Sequence, residues 1–158
     1  MKAYLGLGSN LGNRRRNLIT AAALLAERAG DVLALSSFYE TEPWGFVSEN
    51  RFLNAALALE TSLSPFDLLR LTQTIEREMG RAAKSAQGIY HDRLIDIDLL
   101  LYGDEVVRSA ELEIPHPHLH ERRFVLEPLR EIAPFLRHPL LGKNIEELFR
   151  DFTKSTQE

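Results

Sequence analysis

Two carboxylates stand inside an apolar run, Arg93-Leu94-Ile95-Asp96-Ile97-Asp98-Leu99-Leu100-Leu101. Side chains alternate along an extended chain, so Asp96 and Asp98 share one face, with Cα atoms roughly 6.5 Å apart. Like charges that close, on a segment that otherwise favours burial, need a cation or basic partners beside them. Magnesium is the natural candidate, because it takes oxygen ligands and is commonly held by one or two carboxylates with phosphate oxygens completing its shell. A pair so spaced could also serve two ions bridging a polyphosphate. The purely structural alternative is that both residues pair with nearby arginine or close a strand end.

Other groups could keep such a site company. Phe52 and Asn54 point the same way on an alternating segment, toward Ala56 and Ala58, which leaves room beside an aromatic plane and an amide. An amide offers paired donor and acceptor, matching the edge of a pterin or purine, although such a pair, taken alone, is more often ordinary packing. The loop Thr41-Glu42-Pro43-Trp44-Gly45-Phe46 adds the only tryptophan and another phenylalanine to the same neighbourhood or to a staple over the core. Arg81, Lys84, Arg93, Arg122 and Arg123 are the basic groups near these features, and a guanidinium fork suits phosphate oxygens. In His116-Pro117-His118-Leu119-His120 a zinc site is disfavoured by the flanking prolines and the absence of cysteine, and a histidine contacting phosphate is expected instead. Gly6-Leu7-Gly8-Ser9-Asn10-Leu11-Gly12 is glycine-rich but fits no dinucleotide or P-loop pattern: Leu11 stands where the third glycine is needed, and no Lys-Ser/Thr follows. A tight turn with close backbone approach is the expected reading. Arg14-Arg15-Arg16 opposes the dipole of the helix it would open, so an anionic neighbour or solvent must accommodate it.

These residues must be positioned by alternating elements. Residues 2–8 read as a strand, followed by a helix capped by Asn13, with Leu18, Ala21, Ala22 and Leu25 at helical spacing and Gly30 just beyond its end. Residues 32–39 read as a second strand, with Leu33 and Leu35 on one face and Val32, Ala34 and Phe38 on the other. Residues 52–61 read as a third, with Leu53, Ala55, Leu57 and Leu59 opposite Phe52, Asn54, Ala56 and Ala58. Ser64-Pro65 with Asp67 predicts the start of a second helix, whose stripe is Leu68, Leu71, Ile75 and Met79 and whose end is Gly80. A polar segment, 81–92, precedes an apolar strand from Leu94 to Tyr102 and a hairpin near Gly103-Asp104. Residues 124–132 and 144–152 read as short helices, the second opened by an Asn144–Glu147 capping box. The predicted architecture is an α+β sandwich with helices packed on a mostly antiparallel sheet.

The 158 residues suit one domain spanning 1–158, with 44% hydrophobic residues to fill its core. A net charge of −4 supplies no field for holding a nucleic-acid backbone, so no nucleic-acid partner is expected. There is no cysteine, which removes thiolate chemistry and suits a reducing compartment. Neither a signal-like apolar start nor a membrane-length apolar run is present, so a cytoplasmic chain without membrane association is expected.

Taken in order, Gly6 to Gly12, Thr41 to Gly45, Phe52-Leu53-Asn54-Ala55, Gln73 to Arg81, Arg93 to Asp98 and Ile114-Pro115-His116 resemble the 6-hydroxymethyl-7,8-dihydropterin pyrophosphokinases, with spacing that matches from Met1 to about Pro139. The resemblance implies a ferredoxin-like αβ sandwich working as a monomer. It implies transfer of pyrophosphate from ATP to the hydroxymethyl group of a reduced pterin, releasing AMP, on the route to folate. By the same resemblance Asp96 and Asp98 would hold two magnesium ions, with Arg81 and Arg93 as catalytic cations. Gly8, Thr41, Pro43, Trp44, Phe52, Asn54 and Phe124 match the pterin side, and Gln73, Glu76, Leu99, His116 and Arg122 match the ATP side, with Lys84 alongside. Residues 81–92 correspond to a loop that closes over the substrates. Gly88-Ile89-Tyr90-His91-Asp92 stands where related chains carry Trp-Gly-Pro, with Tyr90 as the expected stand-in for that tryptophan. Glu111 and Glu113 replace basic or hydroxyl residues, and Pro117 replaces an aromatic. The rival reading is a noncatalytic ferredoxin-like module that binds a small ligand for regulation.

Overall fold

Residues 1–41, 51–80 and 94–156 are described in a computed structural model of the chain. The central strand, β1 (Lys2–Ser9), is buried on both faces, which is why it reads as an almost continuous apolar run. It leads into α1 (Arg14–Arg28), whose first turn is capped by Asn13, the side-chain oxygen accepting from the Arg16 N–H at 3.1 Å. Of the three arginines that open it, Arg14 has an anionic neighbour in Glu40, 2.7 Å from its guanidinium, which also donates to the Arg51 carbonyl at 2.8 Å. β2 (Gly30–Leu35), β3 (Tyr39–Thr41) and β4 (Phe52–Thr61) follow. Gly30 has a φ of +154°, and a Cβ there would lie 2.0 Å from the Glu60 carbonyl oxygen, so the turn into β2 tolerates no side chain.

α2 (Pro65–Gly80) starts where Ser64 and Pro65 predict, with the Ser64 hydroxyl accepting from the Asp67 N–H at 3.2 Å. Leu68 and Ile75 are fully buried and Leu71 and Met79 partly so, while Thr72 takes another buried position. Beyond it come β5 (Asp96–Tyr102), a small ribbon of β6 (Val107–Arg108) and β7 (Glu113–Ile114), a turn of 3-10 helix (Leu119–Glu121), α3 (Arg123–Ile132) and α4 (Ile145–Thr156). The Asn144–Glu147 capping box forms in full: each side chain accepts from the other's backbone N–H, at 2.8 and 2.9 Å.

The main sheet runs β2-β4-β1-β5, with β3 pairing β4 further along, and each pairing is antiparallel. The order β1-α1-β2-β4-α2-β5, with β1 between β4 and β5, is the ferredoxin-like arrangement that the resemblance implies. α1 and α2 cover one face, where Leu18, Leu25, Leu68 and Ile75 meet Leu5, Leu7, Leu57 and Leu59. α3 and α4 cover the other, where Leu126, Leu129, Leu148 and Phe149 meet Tyr4, Ala56, Ala58 and Leu100. The predicted alternation of β4 therefore holds, Ala55, Leu57 and Leu59 on one core and Ala56 and Ala58 on the other.

Four expectations need correction. The segment 32–39 is not one strand but two, β2 and β3, because Ser36 leaves the ladder and bonds Ala56 instead: its N–H donates to the Ala56 carbonyl, and its hydroxyl accepts from the Ala56 N–H, both at 2.9 Å. Val32 and Ala34 do not share a face, since a bulge at Leu33 pairs Val32 with Leu59 and Ala34 with Ala58. The strand expected from Leu94 begins at Asp96. The chain does turn at Gly103, but the strand that follows does not pair with β5. β6 pairs with β7, and the Leu100 carbonyl on β5 accepts instead from the His116 N–H at 3.0 Å.

Candidate functional site

Cross-strand register builds the site. Gly8 on β1 stands between Asn54 on β4 and Asp96 on β5, and in the next row Gly6 stands between Ala56 and Asp98. Residues directly opposite in a ladder project to the same side, so both carboxylates and the Asn54 amide lie on one face, separated by strand positions without side chains. This is the face that α3 and α4 cover further along. Where their apolar contacts end, the strands carry asparagine, glycine and aspartate instead. A bulge at Leu100, between the Tyr4–Leu101 and Leu5–Leu99 pairs, lets Leu100 and Leu101 both reach the α3–α4 core while keeping the two aspartates on that side.

Gly8 is required by close approach. A Cβ there would come 3.0 Å from Asn54 Oδ1 and 3.5 Å from the Phe52 ring, so even alanine would press on the amide. Asn54 is buried, and its Nδ2 donates to Thr41 Oγ1 at 2.7 Å, which orients the amide across the β3–β4 pair. Thr41 is itself directly opposite Phe52. Gly8, Thr41, Phe52 and Asn54 therefore form one contiguous patch, and α3, which begins beside Phe124, packs across β4 and β3. The Arg122 guanidinium lies over the Phe124 ring, 5.5 Å from its centre, so a residue matched to each substrate side sits at this helix start.

The other side of β5 carries a second group. Glu76 of α2 reaches the strand between the aspartates, its carboxylate accepting from the Ile97 N–H at 2.8 Å. A pocket of about 280 Å³ opens beside β5, lined by Leu69 of α2, Ile97 to Leu99, the β6–β7 connection from Ser109 to Leu112, Glu113 of β7, His116 and Pro117. Leu99 and His116 thus come together with Asp98, while Gln73 is exposed one turn before Glu76 on α2. Glu111, Glu113 and Pro117 line the same pocket.

Burial, reinforced by the Arg122 and His118 charges, holds His116 down to about 4, so its ring is neutral at pH 7. The His116 Nδ1 accepts from the His118 N–H at 3.1 Å, and the His118 ring turns away to Glu121 at 2.7 Å. His116 and His118 are therefore engaged in a local turn. Pro43, Trp44, Arg81, Lys84, Tyr90 and Arg93 lie outside the described residues, as does the segment 81–92.

Sequence reasoning missed several residues. Leu69, Ser109, Ala110 and Leu112 line the pocket, and Ser109 shapes it by accepting from the Leu112 N–H at 3.1 Å. Ser9 and Asn10 are buried beyond Gly8, where the Asn17 amide donates to Ser9 Oγ at 3.1 Å and to the Leu11 carbonyl at 2.9 Å. The one available signal for the last was a polar residue, Asn17, among the inward positions of α1.

The sequence of residues 4–134 matches the family model described as 7,8-dihydro-6-hydroxymethylpterin-pyrophosphokinase. The chain belongs to that family. A 2-amino-4-hydroxy-6-hydroxymethyldihydropteridine pyrophosphokinase from Porphyromonas gingivalis is 56% identical over 137 residues, covering 86% of this chain and 92% of that one. One of the same description from Bacillus subtilis is 47% identical over 132 residues, covering 83% and 77%. Among solved structures, a wild-type Plasmodium falciparum HPPK-DHPS chain described with pteroate superposes with a TM-score of 0.79 at 17% identity, over 99% of this chain. That likeness concerns the fold, and the present chain spans 43% of the longer one. No helix among the described residues is long and apolar enough to cross a membrane.

Proposed function

We infer that this pyrophosphokinase transfers the pyrophosphoryl group of ATP to the hydroxymethyl oxygen of 6-hydroxymethyl-7,8-dihydropterin. The new bond joins that oxygen to the β-phosphorus, the bond from the β-phosphorus to the α–β bridging oxygen breaks, the hydroxyl proton is lost and AMP leaves. The observation that carries the reading is the row Asn54–Gly8–Asp96: a heterocycle-reading amide and a metal-suited carboxylate one glycine apart on the same face.

Each side of that row has its task. Asn54 and Thr41 would read the donor–acceptor edge of the pterin, Phe52 and Phe124 would sandwich its plane, and Gly8 would let it lie close to the backbone. Pro43 and Trp44 complete the proposed acceptor side. Asp96 and Asp98 suit magnesium: hard oxygen donors, half-buried, facing strand positions where Gly6 and Gly8 leave space. Two ions held there would neutralise phosphate charge and bring both substrates to one place. The pocket beyond β5 would take the nucleotide against Leu99, with Gln73, Glu76, His116 and Arg122 around it. Lys84 and Tyr90 are the proposed further nucleotide contacts, and Arg81 and Arg93 the proposed catalytic cations. Positioning and electrostatics then do the catalysis, without a covalent enzyme intermediate. We further propose that the chain works as a single-domain cytoplasmic monomer, as its cysteine-free composition and family suggest.

The test is product identity. ATP, magnesium and the hydroxymethyl-dihydropterin should yield AMP and pterin diphosphate, whereas ADP would mean ordinary γ-phosphoryl transfer and defeat the proposal. Asp96→Asn and Asp98→Asn should each lower turnover by on the order of a hundredfold or more, with an unchanged circular-dichroism spectrum. Near-normal turnover would rule out essential metal ligation.

A further inference from the structure

β3 is three residues long, yet its Thr41 orients the Asn54 amide, and its Tyr39 lies directly opposite Asn54. So short a strand cannot hold its place by ladder bonds alone. What pins its start is Glu131, in the last turn of α3. The Glu131 carboxylate accepts from the Ser37 N–H at 3.0 and 3.1 Å, from the Ser37 hydroxyl at 3.1 Å and from the Tyr39 hydroxyl at 2.6 Å. A negative charge near a helix C-terminus is electrostatically misplaced unless donors answer it, and here three do. Burial works against the charged carboxylate, but the bonds from Tyr39 and Ser37 outweigh it and hold Glu131 below its ordinary range. Tyr39, pushed up to about 12 chiefly by the same bond, remains a donor at any working pH.

Glu131 also belongs to the helix that carries Phe124. Seven residues separate them along α3, two turns or about 10 Å. The carboxylate therefore fastens the strand bearing Thr41 to the helix bearing Phe124, while Ser36 beside it is bonded to Ala56 of β4. We propose that Glu131, acting through Ser37 and Tyr39, is a positioning residue for the acceptor, keeping the Thr41–Asn54 wall and the Phe124 wall of the pterin pocket at one separation. This rests on the pterin reading above.

Steady-state kinetics of the full chain, with ATP and pterin varied separately, test it for Glu131→Ala, Glu131→Gln and Tyr39→Phe. Loss of one or two such bonds should raise KM for the pterin by about three- to thirtyfold while KM for ATP stays within twofold. Glu131→Gln, which keeps a carbonyl acceptor for Tyr39, should recover part of what Glu131→Ala loses. Tyr39→Phe in the Glu131→Ala background should add little, because the shared bond is already gone. Folded variants with unchanged pterin KM, or with both KM values raised alike, would overturn the proposal in favour of a purely structural clamp. If Glu131→Ala fails to fold, Tyr39→Phe removes one hydroxyl and decides the matter alone. Wild-type AMP release and calorimetric pterin binding, run beside the variants, show separately whether the activity reading itself stands.

Discussion

His116 lines the pocket proposed for the nucleotide as a neutral ring, and that state has a measurable cost in acid. Its folded value, about 4, lies below the roughly 6.5 of an unfolded histidine, so between those values the unfolded chain binds the proton more readily. The stability tied to neutral His116 is accordingly present above about pH 6.5 and lost as pH falls toward 4. Urea unfolding across that window should show a steeper loss for the wild type than for His116→Asn, and parallel curves would exclude the effect. At this scale the aspartate pair was legible because period-two spacing is local, and Asn54 with Phe52 for the same reason. Leu69 and Ser109 were not, because only the meeting of α2, β5 and the β6–β7 connection gives them a shared pocket. Nor was Glu131: a carboxylate in a helix's last turn looks like a surface charge until Ser37 and Tyr39, more than ninety positions earlier, are folded against it.

The helices announce themselves through their first turns. Asn13, Ser64 and Asn144 each cap as the sequence predicts, because a cap is a contact across three residues and needs no tertiary partner. Asn144→Ala should destabilise the protein by about 1 kcal/mol, read as a lower urea midpoint with turnover per folded molecule unchanged, since none of the proposed site residues lies on α4. A midpoint unmoved by the substitution would mean that Ile145, Leu148 and Phe149 hold α4 without its cap. Strands were harder. The bulge at Leu33 and the break at Ser36 arise because β2 must pair with β4 while β3 reaches the same strand further along, a negotiation between segments that no period within residues 32–39 records. The hairpin expected at Gly103 failed for a related reason, since the backbone after β7 meets the outer edge of β5 first.

Across the whole molecule, one sheet is asked to serve two cores and a site. Leu5, Leu7, Leu57, Leu59 and Leu99 feed the α1–α2 side, and Tyr4, Ala56, Ala58, Leu100 and Leu101 feed the α3–α4 side only part of the way, leaving the remaining stretch for asparagine, glycine and aspartate. The α+β class could be read from strands interspersed with helices, whereas the order β2-β4-β1-β5 was implied only through the ferredoxin-like resemblance, because pairing is fixed between residues far apart in the chain. That order also makes the sheet a ruler. Asn54 and Asp96 are two strand spacings apart, about 10 Å, and ladder hydrogen bonds keep that gap more constant than loops could. An acceptor gripped at Asn54 would present its oxygen to the carboxylates only if its arm has the matching length. A hydroxyethyl analogue, longer by about 1.5 Å, should bind with similar KM yet turn over on the order of a hundredfold more slowly. Equal turnover of the two acceptors would show that the strands set no such measure.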